Sequence, residues 1–301
     1  MIKNKTLLAT LAALCAQVIF GFSFMFTKIS MGYASPLTVI ADRYIAAFVG
    51  LTIVMLITRT KMKMGKSFPK LVMMSLFQPV LYFLFETYGI KLTTSSFSAV
   101  MISLIPVMSL FSGMIFLKEI PTPLQYLFTV ISVAGVIIIT ISGNSDGTVT
   151  PQGVVLLIGA VVSSVGFNTA SRKISAEYTA LERTYAMTVI GLICFFTIAL
   201  AENSGNVLKV VSAFAVPEYT LSILYLGVVS SVVAFIMLNF ANTHLPVART
   251  TVFSNITTVV SVIAGAAFLE EKISAVGIVS IIMIVVGVWG VQMSGDKKQC
   301  H

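Results

Sequence analysis

Ten long apolar runs follow one another along this chain of 301 residues, and they limit its fold more than any other feature. A helix that crosses the hydrocarbon core of a bilayer needs about 20 mostly apolar residues, which is close to the length of each run. Strands of a membrane barrel would instead alternate over about ten residues. The sequence therefore predicts an all-α integral membrane protein with ten transmembrane helices. The runs lie at 7–29, 37–58, 69–90, 94–117, 124–141, 151–170, 184–202, 219–240, 247–269 and 273–293.

The composition agrees with lipid as the main solvent of the surface. Hydrophobic residues make up 57% of the chain and charged residues only 10%, whereas a soluble domain carries about 25% charged residues. The formal charge of +8 comes from basic residues in short stretches between the runs. No basic patch is interleaved with exposed aromatic residues, so the bilayer is the predicted partner and nucleic acid is not.

Neither a metal site nor a cofactor site is indicated by the sequence. Its three cysteines and two histidines lack ligand spacing. No phosphate-binding loop of the GxxxxGK[ST] type occurs, so ATP hydrolysis is not expected.

The positions of Lys and Arg predict the orientation in the membrane. If the amino terminus is cytoplasmic, 14 of the 19 basic residues fall on the inner side, as the positive-inside bias requires. The loop from Arg59 to Lys70 dominates that count. An even number of helices then places both termini in the cytoplasm, and we predict a multi-pass protein of the plasma membrane.

An internal repeat relates the two halves of the chain. At a shift of 152 residues, ten identities occur in 37 aligned positions without a gap. Earlier in each half, Asp42-Arg43 resembles Glu182-Arg183. The most informative matches at the shift of 152 residues are Gly113 with Gly265, Glu119 with Glu271, and Gly135 with Gly287.

Parity decides how the two repeats are arranged. Each half, 1–146 and 147–301, holds five runs, so the second half must enter the membrane from the opposite side. The prediction is two inverted-topology five-helix repeats, an architecture that places a binding site near the midplane between the halves.

Three features of the chain resemble the ten-helix drug/metabolite transporters, specifically the EamA-like group. One is the phrase YGIKLTTSS at 88–96, with its counterpart at 245–249. Another is the pair FLKE at 116–119 and FLEEK at 268–272, which close the fourth and ninth runs. The third is the glycine-bearing fifth and tenth runs. The resemblance implies a central cavity, alternating access, and export or exchange of amino acids, metabolites or drugs.

One helical face carries the strongest candidate site. Ionisable groups inside a bilayer cost about 2.5–3.5 kcal/mol each on insertion scales, so they mark function by default. Gln78, Tyr82 and Glu86 are spaced i, i+4 and i+8 and should share a face that looks into a cavity. In one interpretation Glu86 binds an amino or cationic group, or carries a proton. In the other it forms a structural ion pair with Arg43.

Amides and aromatic residues in other runs are weaker candidates. The amides are predicted to line the cavity, with helix packing as the alternative. The phenylalanines Phe22 and Phe167 are repeat mates, predicted to form a gate or else to pack in the core. The amides are Gln17, Asn168, Asn239 and Asn255.

The resemblance and the repeat together predict a secondary transporter that takes a small-molecule substrate, with protons as a candidate coupling ion. The alternative is an intramembrane enzyme that acts on a lipid-linked substrate. Such an enzyme should cluster His, Asp or Cys at membrane depth, and this chain does not, so no enzyme activity is expected. The sequence does not indicate an oligomeric state.

Overall fold

The computed structural model describes residues 2–62, 65, 67–105, 107–109, 112, 122–145, 149–245, 253–271 and 274–293. Within these ranges the regular structure is helical throughout and no strand occurs. Six of the described helices are long and apolar enough to cross a membrane, and shorter apolar helices accompany them.

The helices of the first half are α1 (Ile2–Ser30), α2 (Pro36–Thr58), α3 (Phe68–Lys91), α4 (Ser95–Ile102) and α5 (Pro123–Ser145). Those of the second half are α6 (Pro151–Ile174), α7 (Ala180–Glu202), α8 (Pro217–His244), α9 (Ser254–Phe268) and α10 (Ala275–Met293). A short helix, Val207–Val211, and a 3₁₀ turn, Ser212–Ala215, connect α7 to α8. The predicted runs 94–117 and 247–269 lie partly outside the described residues.

Several helices begin where the sequence supplies a capping side chain. The Ser35 hydroxyl accepts a hydrogen bond from the Thr38 amide at 3.3 Å, and Pro36 occupies the first position of α2. At the start of α7, the Thr179 hydroxyl accepts from the Glu182 amide while the Glu182 carboxylate accepts from the Thr179 amide at 2.8 Å. Such caps satisfy backbone groups that have no partner inside the helix.

Two of the spanning helices are interrupted by π-helical segments. In α3 the segment is Leu76–Leu81, and Gln78 has an extended backbone (φ −146°, ψ 114°) before Pro79. The Gln78–Pro79 peptide bond is cis. In α8 the segment is Tyr225–Ala234. Proline lacks the backbone amide and cannot continue the hydrogen-bond ladder, so the regular helical spacing predicted for Gln78 is broken at that residue.

Most of the strong helix contacts join the two halves of the chain. Helix α5 packs along α10, α2 along α7, and α4 along α9. Helix α1 lies against α8 and α9, and α3 lies against α6 and α7. The halves therefore share one interior, and a cavity between them is walled by both.

The distribution of apolar and charged side chains between surface and interior is reversed relative to that of a water-soluble protein. Leu56 and Ile57 are 72% and 76% exposed on α2. By contrast, Asp42 and Arg183 are 0% exposed. Apolar side chains face outward while charged groups are enclosed, which is the arrangement expected of a protein solvated by lipid.

Close approach of α7 to its neighbours depends on Gly191. A Cβ atom there would lie 2.6 Å from Tyr44 Cε1 and 2.8 Å from Pro79 Cγ. We therefore expect Gly191→Ala to lower the free energy of unfolding by about 1–3 kcal/mol through overpacking. The change is measured as a lower Tm in detergent. Gly50→Ala is the matched control, since its Cβ would stand 3.4 Å from Val228 Cγ2 in ordinary contact. Equal Tm values for the two variants would contradict this account.

Candidate functional site

A cavity of about 60 Å³, lined by both apolar and polar side chains, lies between the two halves of the protein. Residues from α1, α2, α3, α4, α6, α8 and α9 line it, so both halves contribute. Its aromatic wall is formed by Phe20, Phe24, Phe83 and Phe235. The polar lining consists of Gln17, Ser23, Arg43, Gln78, Tyr82, Glu86, Ser164, Asn168, Ser254 and Thr257.

The cationic group of the cavity is the buried guanidinium of Arg43. Its Nε donates to Ser231 Oγ at 2.7 Å, and its Nη2 donates to Ser230 Oγ at 3.0 Å. Its central carbon stands 4.0 Å from the centroid of the Phe83 ring. The remaining nitrogen, Nη1, makes no hydrogen bond to any residue that the structure describes. Neighbouring helices thus hold the guanidinium in place while one of its donor groups stays free.

The acidic group of the cavity is Glu86, which is 6% exposed. The Tyr82 hydroxyl donates to Glu86 Oε1 at 2.9 Å, so the two predicted neighbours do meet. Oε2 has no hydrogen-bond donor among the described residues. The structural ion pair with Arg43 that the sequence suggested as one alternative is not formed, because the guanidinium is directed to the serines Ser230 and Ser231 instead.

Three amides selected from the sequence also line the cavity. The carbonyl oxygen of Gln78, Oε1, is buried without a hydrogen-bond partner. Asn168 Oδ1 accepts from Asn242 Nδ2 at 3.2 Å. Gln17 Oε1 accepts from Thr257 Oγ1 at 2.6 Å, which joins α1 to α9. Gln78 therefore carries a buried amide oxygen that no described residue satisfies.

Three of the remaining candidates, Asn239, Phe22 and Phe167, do not line the cavity. Asn239 Oδ1 accepts from Ser171 Oγ at 2.9 Å in a separate polar cluster. Phe22 is half-buried beside the lining residues of α1. Phe167 is fully buried and meets the Phe235 ring edge-on, with 6.2 Å between centroids. The backbone of Asn255 belongs to α9, but its side chain lies outside the described residues.

That second cluster is organised by Arg183, the repeat mate of Arg43. Arg183 Nη1 donates to the Ser171 carbonyl at 2.9 Å, and Nη2 donates to the Asn239 carbonyl at 2.7 Å. Further donation reaches the Ser171 and Thr243 hydroxyls. Both terminal nitrogens of the Arg183 guanidinium donate to the protein, whereas Nη1 of Arg43 donates to no described residue. Arg183 therefore ties α6, α7 and α8 together.

Sequence reasoning missed Ser230 and Ser231, the two hydrogen-bond partners of Arg43. Ser230 and Ser231 are small hydroxyls in an apolar run, and such residues usually serve helix packing. Their adjacency, Ser-Ser in the middle of a strongly apolar segment, was the one available signal. Their contact with Arg43 arises only when α2 and α8 are packed together.

Enclosed charges within an apolar helical bundle, arranged around a cavity shared by two halves, define the class as a membrane transport protein. A model of the EamA-like transporter family matches residues 7–141 and again residues 151–293. The chain belongs to this family. It is a membrane transporter of the drug/metabolite type and not an enzyme.

Individual relatives agree with this assignment. "Uncharacterized transporter YcxC" of Bacillus subtilis (strain 168) is 32% identical over 99% of this chain and 97% of its own length. An "Uncharacterized transporter" of Archaeoglobus fulgidus is 23% identical over 89% of this chain and 93% of its own length. A solved crystal structure of a protein with 16% sequence identity has a TM-score of 0.69, covering 95% of this chain and 98% of that one. That last likeness concerns the fold alone.

The cluster around Arg183 makes a prediction about stability. Arg183→Gln removes donors from the buried Ser171 and Asn239 carbonyls, and we expect a loss of about 2 kcal/mol or more in unfolding free energy. Thermal unfolding in detergent measures the change. Lys173→Gln, which removes an exposed positive charge nearby, should leave Tm unchanged. If the two variants unfold at the same temperature, Arg183 has no structural role of this kind.

Proposed function

We propose that this transporter is a secondary carrier that exports or exchanges a small zwitterionic solute, such as an amino acid, by alternating access. One observation carries the proposal. The free Nη1 of Arg43 and the free Oε2 of Glu86 belong to two opposite charges that line the same cavity without pairing.

The chemistry of these groups favours a solute with both charges. A guanidinium binds carboxylates through directed, charge-assisted hydrogen bonds, while a carboxylate accepts from an ammonium group. Buried charges are costly unless they are paired. A zwitterion that places its carboxylate at Arg43 and its ammonium at Glu86 would supply the missing partner to both.

The rest of the lining limits the size and charge of the solute. A cavity of about 60 Å³ has room for only a few water molecules, each of which needs roughly 10–15 Å³. Arg43 is the only cation among the lining residues, which suits a carboxylate better than a multiply charged phosphate ester. The Gln78 and Asn168 amides can bind further polar atoms of a small solute.

A cationic amphipathic drug is the second candidate, and the aromatic wall favours it. Phe20, Phe24, Phe83 and Phe235 line the same cavity as Glu86. Aromatic faces attract organic cations. Such a solute would use Glu86 but would gain nothing from Arg43, so the two candidates respond differently to changes at these residues.

We further propose that the chain forms ten transmembrane helices in two inverted repeats, 1–146 and 147–301. The family model matches each of these halves separately, which supports the division. Pairing of α2 with α7, α4 with α9 and α5 with α10 is the contact pattern expected of a two-fold pseudosymmetric arrangement. Alternating access would follow as one half rocks against the other around the fixed cavity.

Counterflow in proteoliposomes tests the substrate class. Vesicles loaded with a mixed pool of amino acids should accumulate a labelled amino acid, whereas vesicles without the protein should not. Arg43→Gln and Glu86→Gln should each reduce this counterflow by about tenfold or more, since each removes a charged hydrogen bond to the solute. Lys91→Gln and Glu177→Gln are charge-matched controls at exposed positions.

The same variants separate the alternatives. Retention of amine counterflow in Arg43→Gln, together with its loss in Glu86→Gln, would favour the cationic drug over the zwitterion. Full activity of both variants with amino acids would overturn the zwitterion proposal. If Glu86 carries a coupling proton, Glu86→Gln should lose the acceleration by a pH gradient while exchange at equal pH persists.

Thiol labelling tests the inverted arrangement in a variant whose Cys15, Cys194 and Cys300 are replaced by serine. Lys61→Cys and Glu177→Cys should react on the cytoplasmic side of the plasma membrane, and Lys209→Cys should react on the outside. This follows from the orientation with both termini in the cytoplasm. Reaction of positions 61 and 209 from the same side would exclude two inverted halves of five helices.

A further inference from the structure

The start of α4 is held by a carboxylate from the other half of the protein. Glu271, just after α9, accepts hydrogen bonds on Oε1 from the Ser95 amide at 2.8 Å and the Ser95 hydroxyl at 2.9 Å. On Oε2 it accepts from the Ser96 amide at 3.0 Å and from the Ser96 hydroxyl. All four donors belong to two consecutive residues, so this carboxylate is fully engaged by one helix end.

A lysine engages the opposite side of the same turn. Lys28 Nζ, near the end of α1, donates to the Ile90 carbonyl at 3.0 Å and the Thr93 carbonyl at 2.8 Å. A cation at the C-terminal end of one helix and an anion at the N-terminal end of the next both match the helix dipoles. The turn between α3 and α4 is therefore fastened to α1 by Lys28 and to the end of α9 by Glu271.

The contact at Glu271 holds the start of α4 close to α9 of the other half. A Cβ atom on Gly265 of α9 would lie 2.6 Å from Glu271 Oε2, so no side chain at that position separates the carboxylate from the helix. Deeper along the same helices, Ile102 of α4 and Thr257 of α9 line the cavity. At 1.5 Å per residue, Ile102 lies about 10 Å below Ser95. The contact at Glu271 thus joins α4 and α9 between the cavity and this end of the bundle.

We propose that Glu271 is a positioning residue for transport, a latch that keeps this mouth of the cavity closed until its carboxylate leaves Ser95 and Ser96. The proposal rests on the alternating access proposed above. In the predicted orientation this mouth faces the outside, because the turn between α3 and α4 and the end of α9 both lie there. In this mechanism, solute enters the cavity from outside after α4 and α9 separate at this contact.

The sequence repeat does not supply the same hydroxyl groups for an equivalent latch at the other end of the bundle. The shift of 152 residues relates Glu271 to Glu119, and it relates Ser95 and Ser96 to Val247 and Ala248. Val and Ala supply no hydroxyl group, so an equivalent carboxylate contact would lack two of the four donors. We therefore expect the empty carrier to rest with its outer mouth closed.

Side-specific labelling of a cavity cysteine tests the latch. The reporter is Ile102→Cys in the background without native cysteines, reconstituted in proteoliposomes and treated from either side with a membrane-impermeant cationic methanethiosulfonate. The reporter alone should react faster from the inner side. Glu271→Gln places an amide group where the Ser95 and Ser96 amides donate, so at least one donor loses its acceptor. The loss of one such charged hydrogen bond should raise the outer labelling rate by about tenfold.

Glu270→Gln is the matched control, because Glu270 is the exposed neighbour of Glu271 and undergoes the same change of charge. An equal outer rate in the two variants, or faster outer than inner labelling of the reporter alone, overturns the latch. Unchanged labelling in a variant that still performs counterflow overturns the latch while leaving the proposed function intact. A reporter that reacts from neither side in any variant overturns the solvated cavity, and the latch with it.

A cross-link provides a second measurement that does not depend on the behaviour of the glutamine variant. In the same background, Ser96→Cys together with Glu271→Cys can be joined by a bis-methanethiosulfonate, which forms a disulfide with each thiol and releases a sulfinate at each end. Joining the two positions should stop counterflow, and a reductant should restore it. Full counterflow in the cross-linked protein would show that this mouth need not open, and the latch would be wrong.

Discussion

The interior of this bundle is governed by one constraint: a polar group enclosed among apolar helices needs a partner from the protein, from water in the cavity or from a bound solute. Arg183 meets this requirement with the Ser171 and Asn239 carbonyls. Glu271 meets it with donors on two consecutive serines. Arg43 and Glu86 meet it only in part, since each keeps one hydrogen-bonding atom without a described partner. The completeness of pairing thus separates groups that hold helices together from groups available to a solute.

This separation gives different tasks to residues that the internal repeat makes equivalent. Arg43 and Arg183 occupy corresponding places near the starts of α2 and α7. Arg43 faces the shared cavity, and Arg183 ties together three helices of the second half. Repetition supplies two similar scaffolds, and small polar residues on neighbouring helices then specialise each copy. Such divergence between equivalent positions is consistent with the proposed carrier, in which one solute site between the halves is used with two distinct mouths.

Local features of the sequence predicted much of the fold. The runs 37–58 and 151–170 correspond to α2 and α6, because the length of an apolar segment and its capping residues act within a few neighbours along the chain. Gln78, Tyr82 and Glu86 were selected by spacing and do line one cavity, although the helix is interrupted at Gln78. Their spacing was informative because a polar side chain in an apolar helix is costly to expose to lipid and is therefore enclosed by the protein. The sequence did not indicate that the Arg43 guanidinium donates to Ser230 and Ser231, so the choice between a solute-binding role for Glu86 and a structural pairing with Arg43 stayed open at that stage.

The sequence by itself determined that this chain is helical, that lipid surrounds it, that it resembles the EamA-like transporters, and that few charged residues interrupt its apolar segments. Composition and periodicity suffice for these, because they report the solvent of each segment without reference to any other segment. Only the tertiary structure decided which enclosed groups meet. The serines at Arg43 are 187 and 188 residues away in the chain, and the serines at Glu271 are 176 and 175 residues away. Contacts across such separations depend on how helices pack, and that packing is a property of the whole bundle.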